Sequence, residues 1–381
     1  MAVSSAEHVV DGARALVPAL RDGAPAAEAA RRVPDETIEA LLELGALHLC
    51  TPASVGGLEA HPRVYLDTLI TLAEGDASAA WIAMVTSTTG LVAAYVDDDT
   101  AREVFARPSV ACGVFAPFGR GRTDADAAMI SGRWAFVSGS PHADWIGLGA
   151  LIAKPDDDGM SHRLAMFPAS EVEIHDTWDV AGLCATASHD VSITNARVPE
   201  RRLADLLGTR PREDGPLYAF PLFGLLAAGI AGVALGTARA ALDALIALAT
   251  ERKPSGSRRT LAERATAQAG VAEAEALLRS ARAFLAEAVD DAWMQAVATG
   301  ALDVRARAGL RLAATHATTT AAAVAEKAYR LGGGGALYRR SPLQRHLRDT
   351  QAATQHMMVS PNTLELTGRV LLGLETDASQ F

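Results

Sequence analysis

Between about Val110 and Val198 the chain reads as short apolar runs, VACGVF, WAFVSG, WIGLGALIA, RLAMFP and HDVSITNARVP, parted by Gly, Asp and Pro. Runs of that length bounded by turn residues predict an antiparallel β-domain, and they interrupt a chain whose texture is otherwise helical. From Ala6 to about Ala106 the pattern predicts several helices, broken by turns at Gly23 to Pro25 and at Gly56-Gly57. One of them should start at Pro34-Asp35-Glu36, where acidic residues meet the positive end of the helix dipole. Beyond a connector at Gly208 to Pro216 long helices resume. Val271, Ala274, Leu277, Leu278, Ala281, Phe284 and Leu285 recur at steps of three and four, which puts them on one helix face. Lys253 to Arg259 (KPSGSRR) breaks two of these helices. The expectation is an α+β chain, mostly α: an N-terminal helical domain over residues 1–109, a middle β-domain over 110–208 and a C-terminal helical bundle over 209–381.

With 381 residues, 49% of them hydrophobic, the chain can bury sizeable cores, and aromatic residues at only 5% favour closely packed helices. A net charge of −10 argues against nucleic acid as the main partner, because phosphate backbones need a basic surface. Cys50, Cys112 and Cys184 are odd in number and widely spaced, a pattern that makes neither a disulfide framework nor a metal site and suits buried thiols. Pro216 to Ala238 carries no charge over roughly the length of a bilayer crossing. The helical pattern continues past it through Arg239 and Asp243 to Thr250, so the segment is expected to be one continuous buried helix at the centre of a bundle rather than a membrane span. The first residues, MAVSSAEHVVDGARALV, lack a basic stretch followed by an apolar one, so no signal peptide is expected and the cytoplasm is the expected compartment.

Within the strand region, GRWAFVSGSPHADWIGLGA (Gly132 to Ala150) resembles a segment of the acyl-CoA dehydrogenase superfamily. The form Ser138-Gly139-x-x-His142-x-x-Trp145 is most similar to its branch of two-component flavin monooxygenases. Further similar segments follow in order: TPASVGG (Thr51 to Gly57), DTWDVAGLCATASHDVSITNARVP (Asp176 to Pro199), ERKPSG (Glu251 to Gly256) and LGGGGALYRRSPLQRHLRD (Leu331 to Asp349). The resemblance implies the acyl-CoA dehydrogenase-like fold with a C-terminal four-helix bundle, and FAD or FMN as cofactor. It implies that Ser138 meets the N5 and O4 edge of the flavin and that the turn at Phe115-Ala116-Pro117 meets its ring. Arg252 matches a position that contacts the flavin pyrophosphate, often from a neighbouring subunit, and Gly332 and Gly333 match a glycine pair at which backbone approaches cofactor. Read without the resemblance, Arg252 is a solvated basic helix end and the glycines are a helix-terminating loop.

Acyl-CoA dehydrogenases proper use a carboxylate to remove a proton from the thioester, often a glutamate shortly after the Arg-Asp pair. Here that place holds Met357. His356 beside it matches a histidine that the monooxygenase branch sets next to the flavin, and an imidazole suits work as a base or as a hydrogen-bond donor. His356 is therefore the catalytic candidate, with a histidine capped inside the bundle as the plain alternative. Thr89, eight residues after Trp81, stands where relatives carry a second active-site histidine, and Cys184-Ala185 stand where Arg and Gly are usual. Thr89, His142 and Met357 are the candidate substrate-pocket residues, although His142 equally fits a staple of its turn. His346, among Arg339, Arg340, Arg345 and Arg348, is expected on a solvated or intersubunit surface.

Three readings result. In the first, the chain is the oxygenase component of a two-component monooxygenase that takes reduced flavin from a separate reductase and uses O2 to hydroxylate a small aromatic or heterocyclic substrate. The second is an acyl-CoA dehydrogenase or related flavin oxidase. The third is a non-catalytic relative that keeps the fold for binding or assembly. A homotetramer is what the resemblance implies for assembly, and the charge and the helix pattern make neither nucleic acid nor a membrane an expected partner.

Overall fold

The computed structural model describes residues 3–124, 126–154, 157–253 and 256–377. Its N-terminal part is helical, with α1 (Val3–Ala30), α2 (Asp35–Leu44), α3 (Pro62–Ala73), α4 (Ala77–Gly90) and α5 (Asp98–Phe105). Helix α2 begins at the acidic pair after Pro34 and ends on Gly45, whose φ of 83° is the left-handed conformation glycine adopts readily. The turn expected at Gly23 to Pro25 does not form, and α1 runs straight through it with Pro18 and Pro25 inside. Proline removes one hydrogen bond of the helix ladder. Val9, Ala13, Val17, Leu20, Ala24 and Ala27 nevertheless keep one buried face in register across both prolines, and that burial outweighs the lost bonds. Helix α4 is capped by Asp76, whose carboxylate accepts from the backbone N–H groups of Ser78 and Ala79 at 2.6 and 3.3 Å. Of its residues only Val85 is not fully buried.

The middle of the chain forms one seven-stranded sheet from β1 (Ala111–Asp124), β2 (Ala127–Val137), β3 (Trp145–Lys154), β4 (Asp157–Pro168), β5 (Glu173–His175), β6 (His189–Pro199) and β7 (Leu203–Ala204), in the order β5-β6-β2-β1-β3-β4-β7. Every pairing is antiparallel except β1 with β3, which is parallel, so the sheet is mixed rather than purely antiparallel. After β2 the chain turns at Ser138 to His142 and re-enters on the far side of β1. Trp134 anchors the sheet core, fully buried and donating through Nε1 to the Gly149 carbonyl at 2.8 Å.

Helices then return as α6 (Pro216–Ala219), α7 (Leu222–Glu251), α8 (Ala265–Thr299), α9 (Val304–Gly332), α10 (Pro342–Thr354) and α11 (Asn362–Leu371), and α7 to α10 pack together as a bundle. The uncharged stretch from Pro216 is not one continuous helix. Pro221 pushes Phe220 to an extended ψ of 134°, which ends α6 and restarts the chain as α7. Two segments, Ala77–Tyr95 and Leu222–Glu251, are long and apolar enough to cross a membrane by length and composition, and 94% of each apolar window is buried inside the protein. For α7 the cover is α9 on one side and α3 on the other. Gly229, Gly232 and Gly236 line the α3 side at three- and four-residue spacing. A Cβ there would run into the Tyr65 hydroxyl, the Leu66 side chain and the Ile70 carbonyl respectively, so the glycines let the two backbones meet. On α8 the predicted face is buried at Ala274, Leu278, Ala281 and Leu285 and half-buried at Val271 and Phe284, while Leu277 is 41% exposed.

Candidate active site

Ser138 lies just beyond the end of β2, its side chain only 6% exposed. The indole N–H of Trp81, on α4, donates to its Oγ at 3.1 Å. On its other side Ser138 Oγ lies 2.6 Å from Ser188 Oγ, which in turn lies 2.7 Å from Thr186 Oγ1. Thr186 and Ser188 belong to the loop that leads into β6, and α10 fixes that loop. Asp349 accepts from the Leu183 backbone N–H at 2.7 Å, Arg348 donates to the Ala181 carbonyl, and a side chain on Gly182 would collide with the Arg348 carbonyl. Burial pushes the Asp349 carboxyl up to about 7.

His356 joins the same place from the C-terminal side, its ring centroid 5.9 Å from that of Trp81. Its Nδ1 accepts the backbone N–H of Met358 at 3.2 Å, and burial together with the nearby Arg311 guanidinium holds its pKa down to about 4. The ring is therefore neutral near pH 7 with its single proton on Nε2. This makes His356 a hydrogen-bond donor rather than a base. The charge acting on the ring is a cation; no carboxylate among the described residues bonds it. Arg311, 4% exposed, donates to Met358 Sδ at 3.2 Å.

β1 departs from regular pairing with β3 between Val114 and Gly119, at the predicted ring-facing turn. The carbonyls of Phe115 and Ala116 press so closely on Gly149 that a Cβ there would collide with both, and His162 Nε2 bonds the Phe115 carbonyl at 2.9 Å. The Phe115 ring meets Phe223, at the start of α7, edge-on at 6.4 Å. Sequence reasoning missed Phe136. It has a φ of 66°, unusual for so bulky a residue, and its ring is 67% exposed with its edge toward Trp178 at 6.0 Å. Alternation along β2 hints that Phe136 shares a face with Ser138, but nothing in the sequence reports its backbone conformation.

Arg252, Gly332 and Gly333 also come together. Arg252 donates to the Gly332 carbonyl at 2.6 Å and packs so closely under Gly335 that a Cβ there would strike its guanidinium, while Gly333 takes a φ of 56° with a ψ of −154°. Pro254 and Ser255 of the neighbouring ERKPSG segment lie outside the described residues. This patch is distant from the ring-facing residues of its own chain. Phe223 and Arg252 stand at opposite ends of the 30-residue α7, roughly 45 Å apart at the rise of a helix.

Other candidates are placed differently. His142 is a staple: its Nδ1 lies 3.1 Å from Asp35 of α2 and its side chain is almost wholly buried. Thr89 is buried, with its hydroxyl donated to the Val85 carbonyl at 2.8 Å. Met357 is exposed while Met358 is buried. His346 and Arg345 are not on a solvated surface but on the inner face of α10, 6% and 8% exposed, because the helix turns that face onto the rest of the protein. Burial and the neighbouring Arg345 and Arg21 push His346 down to about 3. Its folded pKa lies below the free value, so the unfolded chain takes up a proton first and stability is lost as pH falls from about 6.5 toward 3. His346→Gln should remove about 3 kcal/mol of the acid sensitivity between pH 7 and pH 4. Urea midpoints over that range check it, and parallel curves for variant and parent would refute it.

An isoalloxazine needs flat apolar surfaces and polar atoms at its edge, and its phosphates need a cation or free backbone N–H groups. Phe115, Phe136 and Trp178 offer the first and Ser138 the second, and the Arg252 patch, at the far end of α7, offers the third, so each part of a flavin has residues whose chemistry fits it. The comparisons agree. Residues 228–361 match the family model described as acyl-CoA dehydrogenase, C-terminal domain. The indole-3-acetate monooxygenase of Pseudomonas putida is 34% identical over 94% of this chain and 92% of its own. The crystal structure of the HsaA monooxygenase from M. tuberculosis superposes with a TM-score of 0.92 at 26% identity, covering 99% of this chain and 100% of that one. XiaF from Streptomyces sp., solved in complex with FADH2 and glycerol, gives 0.90 at 26% identity over 98% and 97%. Fold and site define a flavin-dependent oxidoreductase of the acyl-CoA dehydrogenase fold. The chain belongs to the acyl-CoA dehydrogenase superfamily and, within it, to the oxygenase components of two-component flavin-dependent monooxygenases. Membership in that group implies a partner reductase.

Proposed function

We propose that the chain takes reduced flavin from a separate reductase and hydroxylates a small aromatic or heterocyclic substrate with O2. The observation that carries this reading is His356: a neutral ring with an N–H to offer, 5.9 Å from the ring of the Trp81 that bonds Ser138, with Met357 rather than a glutamate beside it where a dehydrogenase often carries its carboxylate. Two carboxylates on the elements around the site are committed elsewhere, Asp76 to the cap of α4 and Asp349 to Leu183. The flavin supplies the activation of oxygen when bound. When flavin is bound, Ser138 would hold its polar edge, Phe115, Ala116 and Phe136 would pack on the ring, and His356 would offer its Nε2–H to the substrate. The site must keep out water, which would otherwise divert the reaction.

Arg252, Gly332 and Gly333 suit a pyrophosphate, which favours FAD over FMN. Their distance from Phe115 along α7 supports a site completed by a second copy, and so a homotetramer. The 34% identical relative named for indole-3-acetate supports the heterocyclic class of substrate, and the cytoplasm is the compartment that a reductase-fed enzyme of this composition suits.

The test is anaerobic stopped-flow absorbance. Protein mixed with photoreduced FAD or FMN and then with oxygenated buffer should give a transient band distinct from both reduced and oxidised flavin. If that band is absent while an acyl-CoA bleaches the oxidised flavoprotein, the enzyme is a dehydrogenase and the proposal is wrong.

A further inference from the structure

The chain of hydroxyls behind Ser138 has a direction that can be worked out proton by proton. Thr186 Oγ1 lies 2.8 Å from the Leu183 carbonyl, which has no proton to give, so the Thr186 hydroxyl must donate to it. Its proton thus spent, Thr186 can only accept along the 2.7 Å contact with Ser188, which therefore donates. Ser188 in turn can only accept along its 2.6 Å contact with Ser138, and Ser138 donates. The reverse direction would leave the Thr186 and Leu183 oxygens facing each other at 2.8 Å with no proton between them, a repulsive contact. From the other side Trp81 Nε1, which can only donate, fills one lone pair of Ser138 Oγ. Ser138 is left with one free lone pair and no free proton. The Leu183 carbonyl that sets the direction is itself held through its residue's N–H, bonded to Asp349 at 2.7 Å.

We infer that Thr186 and Ser188 are positioning residues that lock the Ser138 hydroxyl as a hydrogen-bond acceptor, so that the site prefers a flavin bearing a proton on N5, the reduced form, over the oxidised form. The inference rests on the proposed placement of Ser138 at the flavin edge. Reduced flavin carries N–H at N5 and satisfies the free lone pair. Oxidised flavin presents a bare nitrogen there, and two acceptors then face each other. The selectivity is a property of three side chains in line. It would give a monooxygenase fed by a separate reductase a reason to bind the delivered flavin and release the spent one.

The test compares dissociation constants for reduced FAD, measured anaerobically, and for oxidised FAD in the full-length protein and its variants. In Ser188→Ala the Ser138 proton loses its acceptor and turns to the ring. In Thr186→Val the Ser188 proton turns to Ser138 and frees it in the same way. In both, oxidised FAD should bind more tightly and the preference for the reduced form should fall by about tenfold, the order of one hydrogen bond. Thr186→Ser, which keeps the hydroxyl, should retain the parent preference. Either of the first two variants suffices should the other fail to fold. An unchanged preference in a folded variant, or equal weakening of both forms, overturns the inference and leaves the proposed function standing. A parent protein that binds neither form takes down both.

Discussion

His356→Ala is expected to lower hydroxylation turnover about a hundred- to a thousandfold while reduced flavin is still bound and still oxidised. The magnitude is that of removing one preorganised donor from a water-poor site. The ring is fixed for that role. Met358 N–H holds Nδ1 at 3.2 Å, and burial beside Arg311 keeps the ring unprotonated down to about pH 4. Replacement by Gln, which can also donate, should recover a measurable part of the rate; replacement by Asp, an acceptor at neutral pH, should recover none. The measurement is hydroxylated product formed per flavin oxidised in a single turnover. A variant that stays within threefold of the parent would remove His356 from the chemistry. The pH profile of the parent gives a second reading, because activity governed by this ring should be flat from pH 8 down to about 5 and should not bend near the ordinary histidine pKa of about 6.5.

Gly236→Val is expected to destabilise the fold by about 3 kcal/mol, the upper part of the range for overpacking a filled interior. The Cβ would meet the Ile70 carbonyl, which is backbone of α3 and cannot rotate aside, and the next nearest atom is the Ala73 methyl group. α3 carries Tyr65, Leu66, Leu69 and Leu72, all buried, so displacing it opens the seam between the N-terminal helices and the bundle. Gly309→Ala on α9 is the matched control. Its Cβ would meet nothing within 4 Å, and the loss of chain entropy in the unfolded state should stabilise by about 0.5 kcal/mol. Urea midpoints for both variants decide the matter, and a Gly236→Val midpoint equal to the parent's would mean that the α3–α7 contact is looser than its glycines indicate.

The alternation of helix, sheet and helix could be read from residues because it is written locally, as short apolar runs between Gly, Asp and Pro for the strands and at steps of three and four in Ala274, Leu278 and Ala281 for a helix. Events settled by distant packing were not so written. Nothing local distinguishes the prolines of α1, carried on a buried face, from Pro221, which restarts a helix. Arg345 and His346 looked solvated because four arginines surround the histidine in sequence, and only the docking of α10 buries them. His356, Ser138, Arg252 and the glycine pair were visible through their resemblance to a family. Thr186 and Ser188 were not, since a Thr-Ala-Ser loop reads as an ordinary turn until Ser138 is seen against it.

Helix α7 has a consequence of its own. One end packs Phe223 against Phe115 and the other delivers Arg252 to the Gly332 carbonyl, with one unbroken helical segment between them. The helix is thus a ruler. Each residue added or removed would slide one end by about 1.5 Å and rotate it by about 100° relative to the other, upsetting both contacts together with the three-glycine seam. Loops elsewhere are free to drift in length over evolutionary time, whereas the count of residues from Phe223 to Arg252 is held from both ends.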